Sequence, residues 1–174
     1  MPRTITAAVL CALGLCMSVR AWADDAVSIL GLYGNTAAGP DVQTDGGFAC
    51  LITGTEKTIL FDTGKDGSIL LHNLERLGVD CDRIDIVVLS HFHQDHLGGL
   101  NAFLKRHAKV SIYVPRSFLQ RPDYQQAIAG FDSRVIPVTA SQPICREVYS
   151  TGMMGREGIK MESEMAKPTA ERAA

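Results

Sequence analysis

The sequence predicts an α/β fold in which strands alternate with helices packed against a sheet. Two observations carry this. Short β-branched and aliphatic runs, such as 84–89 (IDIVVL) and 110–114 (VSIYV), have the length and composition of buried strands. Between such runs the period changes to that of a helix, with Ile69, Leu70, Leu74 and Leu77 on one face and Gly78 after them as a stop.

Residues 1–23 stand apart from this pattern. Arg3 gives a positive start, 5–19 is an almost unbroken apolar run, and Ala21-Trp22-Ala23 has small residues where a signal peptidase reads. That layout predicts a secretory signal cleaved after Ala23, since about fifteen apolar residues fall short of the roughly 20 that a spanning helix needs. The mature chain is therefore expected in the periplasm or outside the cell, with no membrane attachment after cleavage. Residues 24–150 are expected to form a single domain.

Within it, 26–33 (AVSILGLY) reads as a first strand, followed by a Gly/Asn/Pro/Asp loop through Gly47. The apolar stretches 48–53 and 58–61 read as a hairpin across the polar turn 54–57 (GTEK). After Asp62-Thr63-Gly64 comes the first helix, with His72, Asn73, Glu75 and Arg76 off its apolar face. The strand at 84–89 leads to a second helix from Leu100 to about His107, opened by Gly98-Gly99, with Leu100, Phe103 and Leu104 inward. A strand at 110–114, a helix at 122–129 and a last strand at 134–138 complete the expected order. Residues 151–174 keep no period, carry much charge and read as an irregular tail, disordered from about 160.

Composition narrows the function. The formal net charge is −2 with no basic run, which gives no reason to expect a nucleic-acid partner. Two of the five cysteines lie in the signal, and the remaining Cys50, Cys81 and Cys145 are odd in number and widely spaced. They do not form a disulfide framework, and no pair is assigned.

The densest chemistry is 89–100 (LSHFHQDHLGGL), which holds three of the five histidines. His91, His93, Asp95 and His96 follow the buried strand directly. Side chains two apart in an extended segment share a side, so His91 and His93 reach one position. The turn after Gln94 swings Asp95 and His96 towards a neighbouring one. Neutral imidazoles and a carboxylate without a thiolate suit zinc, with iron or manganese as alternatives, and one or two ions are expected. A small-molecule substrate follows from an open site of this kind. His72 and His107, each alone on a helix, are expected to be solvated or satisfied within the core.

The run His91-Phe92-His93-Gln94-Asp95-His96 resembles the H-x-H-x-D-H signature of the metallo-β-lactamase superfamily. Leu97-Gly98-Gly99-Leu100 matches its usual flank, and Thr58-Ile59-Leu60-Phe61-Asp62-Thr63-Gly64 is similar to its I-L-x-D-x-G strand. The stretch 46–52 (GGFACLI) is similar, more narrowly, to a branch named for a dihydropterin ribofuranosyl-aminobenzene phosphate synthase. The resemblance implies the N-terminal half of an αββα sandwich. It implies that His91 and His93 hold a first metal, that Asp95 and His96 hold a second, and that Asp62 supports a ligand from behind. It implies metal-assisted hydrolysis of an ester, thioester, lactam or phosphoester, with Asp95 taking up or returning a proton. The family's later ligands include two further histidines, whereas only His107 follows His96 in this chain. The chain is therefore expected to be C-terminally truncated. The alternative to an exported hydrolase is a non-catalytic remnant with weak metal binding or an interaction role.

Overall fold

The computed structural model describes residues 26–153 apart from positions 38, 108, 132 and 133. The expected signal at 1–23 and nearly all of the expected tail at 151–174 lie outside the described residues. The short apolar runs become strands β1 (Ser28–Tyr33), β2 (Ala49–Thr53), β3 (Ile59–Phe61), β4 (Ile86–Val88), β5 (Ser111–Pro115) and β6 (Val135–Val138). These pair in chain order as one sheet, antiparallel from β1 to β3 and parallel from β3 to β6. Parallel neighbours require crossovers, and helices supply them. They are α1 (Gly67–Arg76), α2 (Gln94–Leu97) with α3 (Leu100–Arg106), and α4 (Pro122–Ala127).

Alternation gives the sheet two faces. Leu60, Val87, Ile112 and Val114 pack with Leu70, Leu74, Leu100, Phe103 and Leu104 in the main core, between sheet and helices. Ile59 and Ile86, with Val88 and Tyr113, belong to a second, smaller apolar cluster with Ile144 and Val148. Those last two sit on a separate antiparallel hairpin, β7 (Ala140–Cys145) and β8 (Val148–Gly152). The layers are thus helices, a mixed sheet, and a hairpin over part of its far face. No described helix is long and apolar enough to cross a membrane.

Two expectations are corrected. The strand at 134–138 is not the last, because β7 and β8 follow it, and a boundary at 150 falls inside β8. The hairpin is hard to read because β7 carries Pro143, a residue of poor strand propensity, and its two-residue turn lacks the usual Asn-Gly or Asp-Gly. Glu147 instead takes the left-handed conformation there, at φ 64°. Asn73, expected off the helix's apolar face, is fully buried. Its amide nitrogen donates to the carbonyls of Leu32 (2.8 Å) and Gln43 (2.9 Å), and its oxygen accepts from the Gln43 amide (2.8 Å). A helical-face pattern ranks Asn73 as polar and therefore outward; three backbone partners make it an inward staple instead.

That staple has a positional consequence. It ties the long β1–β2 loop to α1, assisted by the Arg76–Asp41 ion pair at 2.6 Å and by His72 against the Asp41 carbonyl at 2.9 Å. The same loop ends at Gly46-Gly47, beside the histidine segment. Helix α1 itself starts where Asp66 caps it, accepting from the amides of Ser68 (2.7 Å) and Ile69 (3.4 Å).

Asn73→Leu keeps the branching at Cγ but strands three backbone groups. It should lower the unfolding free energy by about 1–3 kcal/mol, read as a shift of the urea midpoint at constant slope. Glu75→Ala, exposed on the same helix, should change it by less than about 0.5 kcal/mol.

Candidate metal centre

The site begins where the sheet stops holding the chain. Leu89 is buried and still donates its amide to the Tyr113 carbonyl at 2.9 Å. Ser90 then leaves the carboxyl end of the parallel strands, the edge where α/β folds place their sites. His91 and His93 project to one side of the extended stretch, with Nε2 of His91 3.1 Å from Nδ1 of His93. The single turn of α2 brings His96 against His91, ring centroids 4.1 Å apart. Asp95 lies in that turn, its carboxylate 3.5 Å from Nε2 of His96.

Asp62 closes the cluster from the end of β3. Its side chain is 1% exposed, and its backbone is left-handed at φ 57°. A non-glycine residue held there costs on the order of 1–3 kcal/mol, so its surroundings must fix it. They do so through three donors. The Ser90 amide reaches Oδ1 at 2.8 Å, the Ser90 hydroxyl reaches Oδ2 at 2.7 Å, and Nδ1 of His96 lies 2.8 Å from Oδ2. The structure therefore brings His91, His93, Asp95, His96 and Asp62 into one group. Ligand atoms of Asp62, His91 and His96 lie within 4.8 Å of one another.

The loops carrying these residues interlock through their backbones. Thr63 donates its amide (2.7 Å) and its hydroxyl (3.0 Å) to the His96 carbonyl. The Gly99 amide meets the Gly64 carbonyl at 3.1 Å, and the Phe48 amide meets the Asp95 carbonyl at 3.2 Å. A Cβ on Gly99 would collide with the Thr63 carbonyl oxygen, and one on Gly47 with the Asp95 carbonyl oxygen. Glycine at these positions is a condition of closure.

At His91 the surroundings favour a lone pair over a second proton. The His91 imidazole is held below its ordinary pKa, first by burial and then by the neighbouring His96 and His93. Burial also pushes the Cys50 thiol up, and the Asp62 charge adds to this, so Cys50 stays an uncharged thiol beside the cluster. Cys50, Cys81 and Cys145 are not paired in disulfides. The other two histidines are engaged elsewhere. His107 is buried with its ring nitrogens 3.0 Å from Asp82 and 3.1 Å from the Ile84 carbonyl, and His72 rests on Asp41.

Three imidazoles and the Asp95 carboxylate, with Asp62 hydrogen-bonded behind them, fit a divalent metal by donor chemistry. The 3.1 Å between His91 and His93 nitrogens is close to the ~3.3 Å edge of a tetrahedron with bonds of about 2.0–2.1 Å. Sequence reading missed Ser90, whose hydroxyl also stands 2.9 Å from Nδ1 of His91. Its only signal was a hydroxyl residue directly before the first histidine.

Gly99→Ala should destabilise the fold by about 1–3 kcal/mol through overpacking. Because the clash falls between the Thr63 and His96 loops, thermal unfolding should show the loss together with altered imidazole signals for His96.

Residues 42–160 match the family model described as the metallo-beta-lactamase superfamily. A 7,8-dihydropterin-6-methyl-4-(beta-D-ribofuranosyl)-aminobenzene-5'-phosphate synthase from Methanocaldococcus jannaschii is 42% identical over 80 residues, covering 42% of this chain and 27% of that protein. A hydroxyacylglutathione hydrolase from Aeromonas salmonicida is 33% identical over 66 residues, covering 38% of this chain and 24% of that protein. The chain thus spans about a quarter of the length of these curated relatives. The crystal structure of a candidate metallo-beta-lactamase from Thermotoga maritima superposes with a TM-score of 0.52 at 18% identity, over 70% of this chain and 63% of that one, which shows the shared fold. With the family model matched from residue 42 to residue 160, the chain belongs to the metallo-beta-lactamase superfamily.

Proposed function

We propose that this chain acts as an exported metal-dependent hydrolase-type protein on a small molecule with an ester, lactam or phosphoester bond. His91, His93, Asp95 and His96 would hold one or two divalent ions, zinc before iron or manganese. The observation that carries this is the cluster at the end of β4, where three imidazoles and Asp95 gather against a buried, fully hydrogen-bonded Asp62. Export rests on the pattern of residues 1–23.

A divalent ion bound there supplies Lewis-acid polarisation of a substrate oxygen and lowers the pKa of water. The residues themselves do the positioning. Asp62 accepts from Nδ1 of His96 and so leaves Nε2 of that ring facing Asp95. His91 and His93 aim adjacent nitrogens at one point. Asp95 has a side chain 47% exposed, which puts it within reach of both the cluster and solvent as a proton acceptor or donor. A cleft of about 690 Å³ reaches His91 along Phe61, Val88 and Tyr113, opposite Ile144 and Val148 of the hairpin. Its walls are mainly apolar, which suits the carbon skeleton of a substrate and excludes water from it.

A second reading, weak metal binding without catalysis, has its own support. The 174 residues hold five histidines, and His72 and His107 are already engaged, leaving three imidazoles. Metal analysis of the purified chain separates the two. Near-stoichiometric zinc surviving dialysis against metal-free buffer is expected, and zinc lost in that dialysis establishes the second reading in its place. His91→Ala and His96→Ala should each abolish retention. Asp62→Asn, which keeps the shape but weakens the grip on His96, should reduce affinity by about 10–100-fold.

A further inference from the structure

The Ser90 hydroxyl touches both halves of the cluster, 2.7 Å from Oδ2 of Asp62 and 2.9 Å from Nδ1 of His91. We infer that Ser90 is a positioning residue that carries the hold of Asp62 on to His91 and fixes that ring with its proton on Nδ1 and its Nε2 lone pair open. The inference rests on the metal-binding reading above and deepens it.

The assignment follows from counting protons. A carboxylate only accepts, and a serine hydroxyl has one proton to give. Were that proton turned towards His91, the hydroxyl oxygen and Oδ2 of Asp62 would face each other lone pair to lone pair at 2.7 Å. The proton therefore goes to Asp62, and the hydroxyl oxygen accepts from His91. Nδ1 of His91 then carries hydrogen, and Nε2 is bare. In the metal-free protein that bare nitrogen accepts from Nδ1–H of His93 at 3.1 Å. The same carboxylate oxygen sets His96 directly, at 2.8 Å. One buried charge thus fixes two imidazoles, the second through a single hydroxyl. Packing does not account for the serine, because Ser90 is exposed.

Ser90→Ala and Ser90→Thr test this against the unmodified chain. Long-range proton–nitrogen spectra of the metal-free protein at about pH 8 report which ring nitrogen carries hydrogen. The unmodified chain and Ser90→Thr should show His91 protonated on Nδ1, while Ser90→Ala should shift it towards the other tautomer and leave His96 unchanged. Zinc affinity, read by competition with a chromophoric chelator, should fall about 10–100-fold in Ser90→Ala and recover in Ser90→Thr. An unmodified chain with His91 protonated on Nε2, or a Ser90→Ala chain with unchanged tautomer and affinity, overturns the inference. Failure of the metal reading looks different: the unmodified chain shows the Nδ1 tautomer but retains no zinc.

Discussion

Everything at this site hangs on the buried carboxylate of Asp62. A charge taken out of water must be matched by donors, and this one finds three within 2.8 Å. Two come from Ser90 and one from His96, and both belong to the loop that leaves β4. The carboxylate therefore works as a clamp between the ends of two adjacent parallel strands. Its left-handed backbone, unfavourable for aspartate in isolation, is what aims the side chain across that gap. Structure and chemistry share one requirement here: satisfying the charge also orients the ring.

The surrounding loops keep that clamp from relaxing. Thr63 grips the His96 carbonyl, Gly99 closes on Gly64, and Gly47-Phe48 lies against Asp95. Apart from the Thr63 hydroxyl, these contacts run between backbones and depend on the close approach that Gly47 and Gly99 allow. Asn73 acts further out by holding the β1–β2 loop that delivers Gly47. Rigid support of this kind is what a site needs if its donors are to converge without rearrangement on binding.

The sequence made much of this visible because the relevant signals are local. Short β-branched and aliphatic runs marked β2 to β5, and the Ile69–Leu70–Leu74–Leu77 face marked α1. His91, His93, Asp95 and His96 declared their chemistry by crowding alone. What escaped depends on long-range partners. Asn73 is polar by type yet buried, because its partners at Leu32 and Gln43 are 41 and 30 residues away. The β7–β8 hairpin hid behind Pro143 and a turn whose Glu147 takes a conformation usually left to glycine or asparagine. Ser90 looked like a flank of the motif. Its role emerges only when β3 and β4 lie side by side and bring Asp62 to it, a pairing that spacing of 28 residues does not reveal.

On the proposed reading Asp62 stands behind a metal position and orients His96, while His91, His93, Asp95 and His96 face it. The most direct measurement is anomalous diffraction at the zinc edge from crystals of the zinc-loaded protein. The account predicts a peak bonded to nitrogens of His91 and His93 or to Asp95 and His96, at about 2.0–2.2 Å, with Asp62 still hydrogen-bonded to His96 and not coordinating. A peak directly bonded to the Asp62 carboxylate, or zinc bound only away from this cluster, would contradict it.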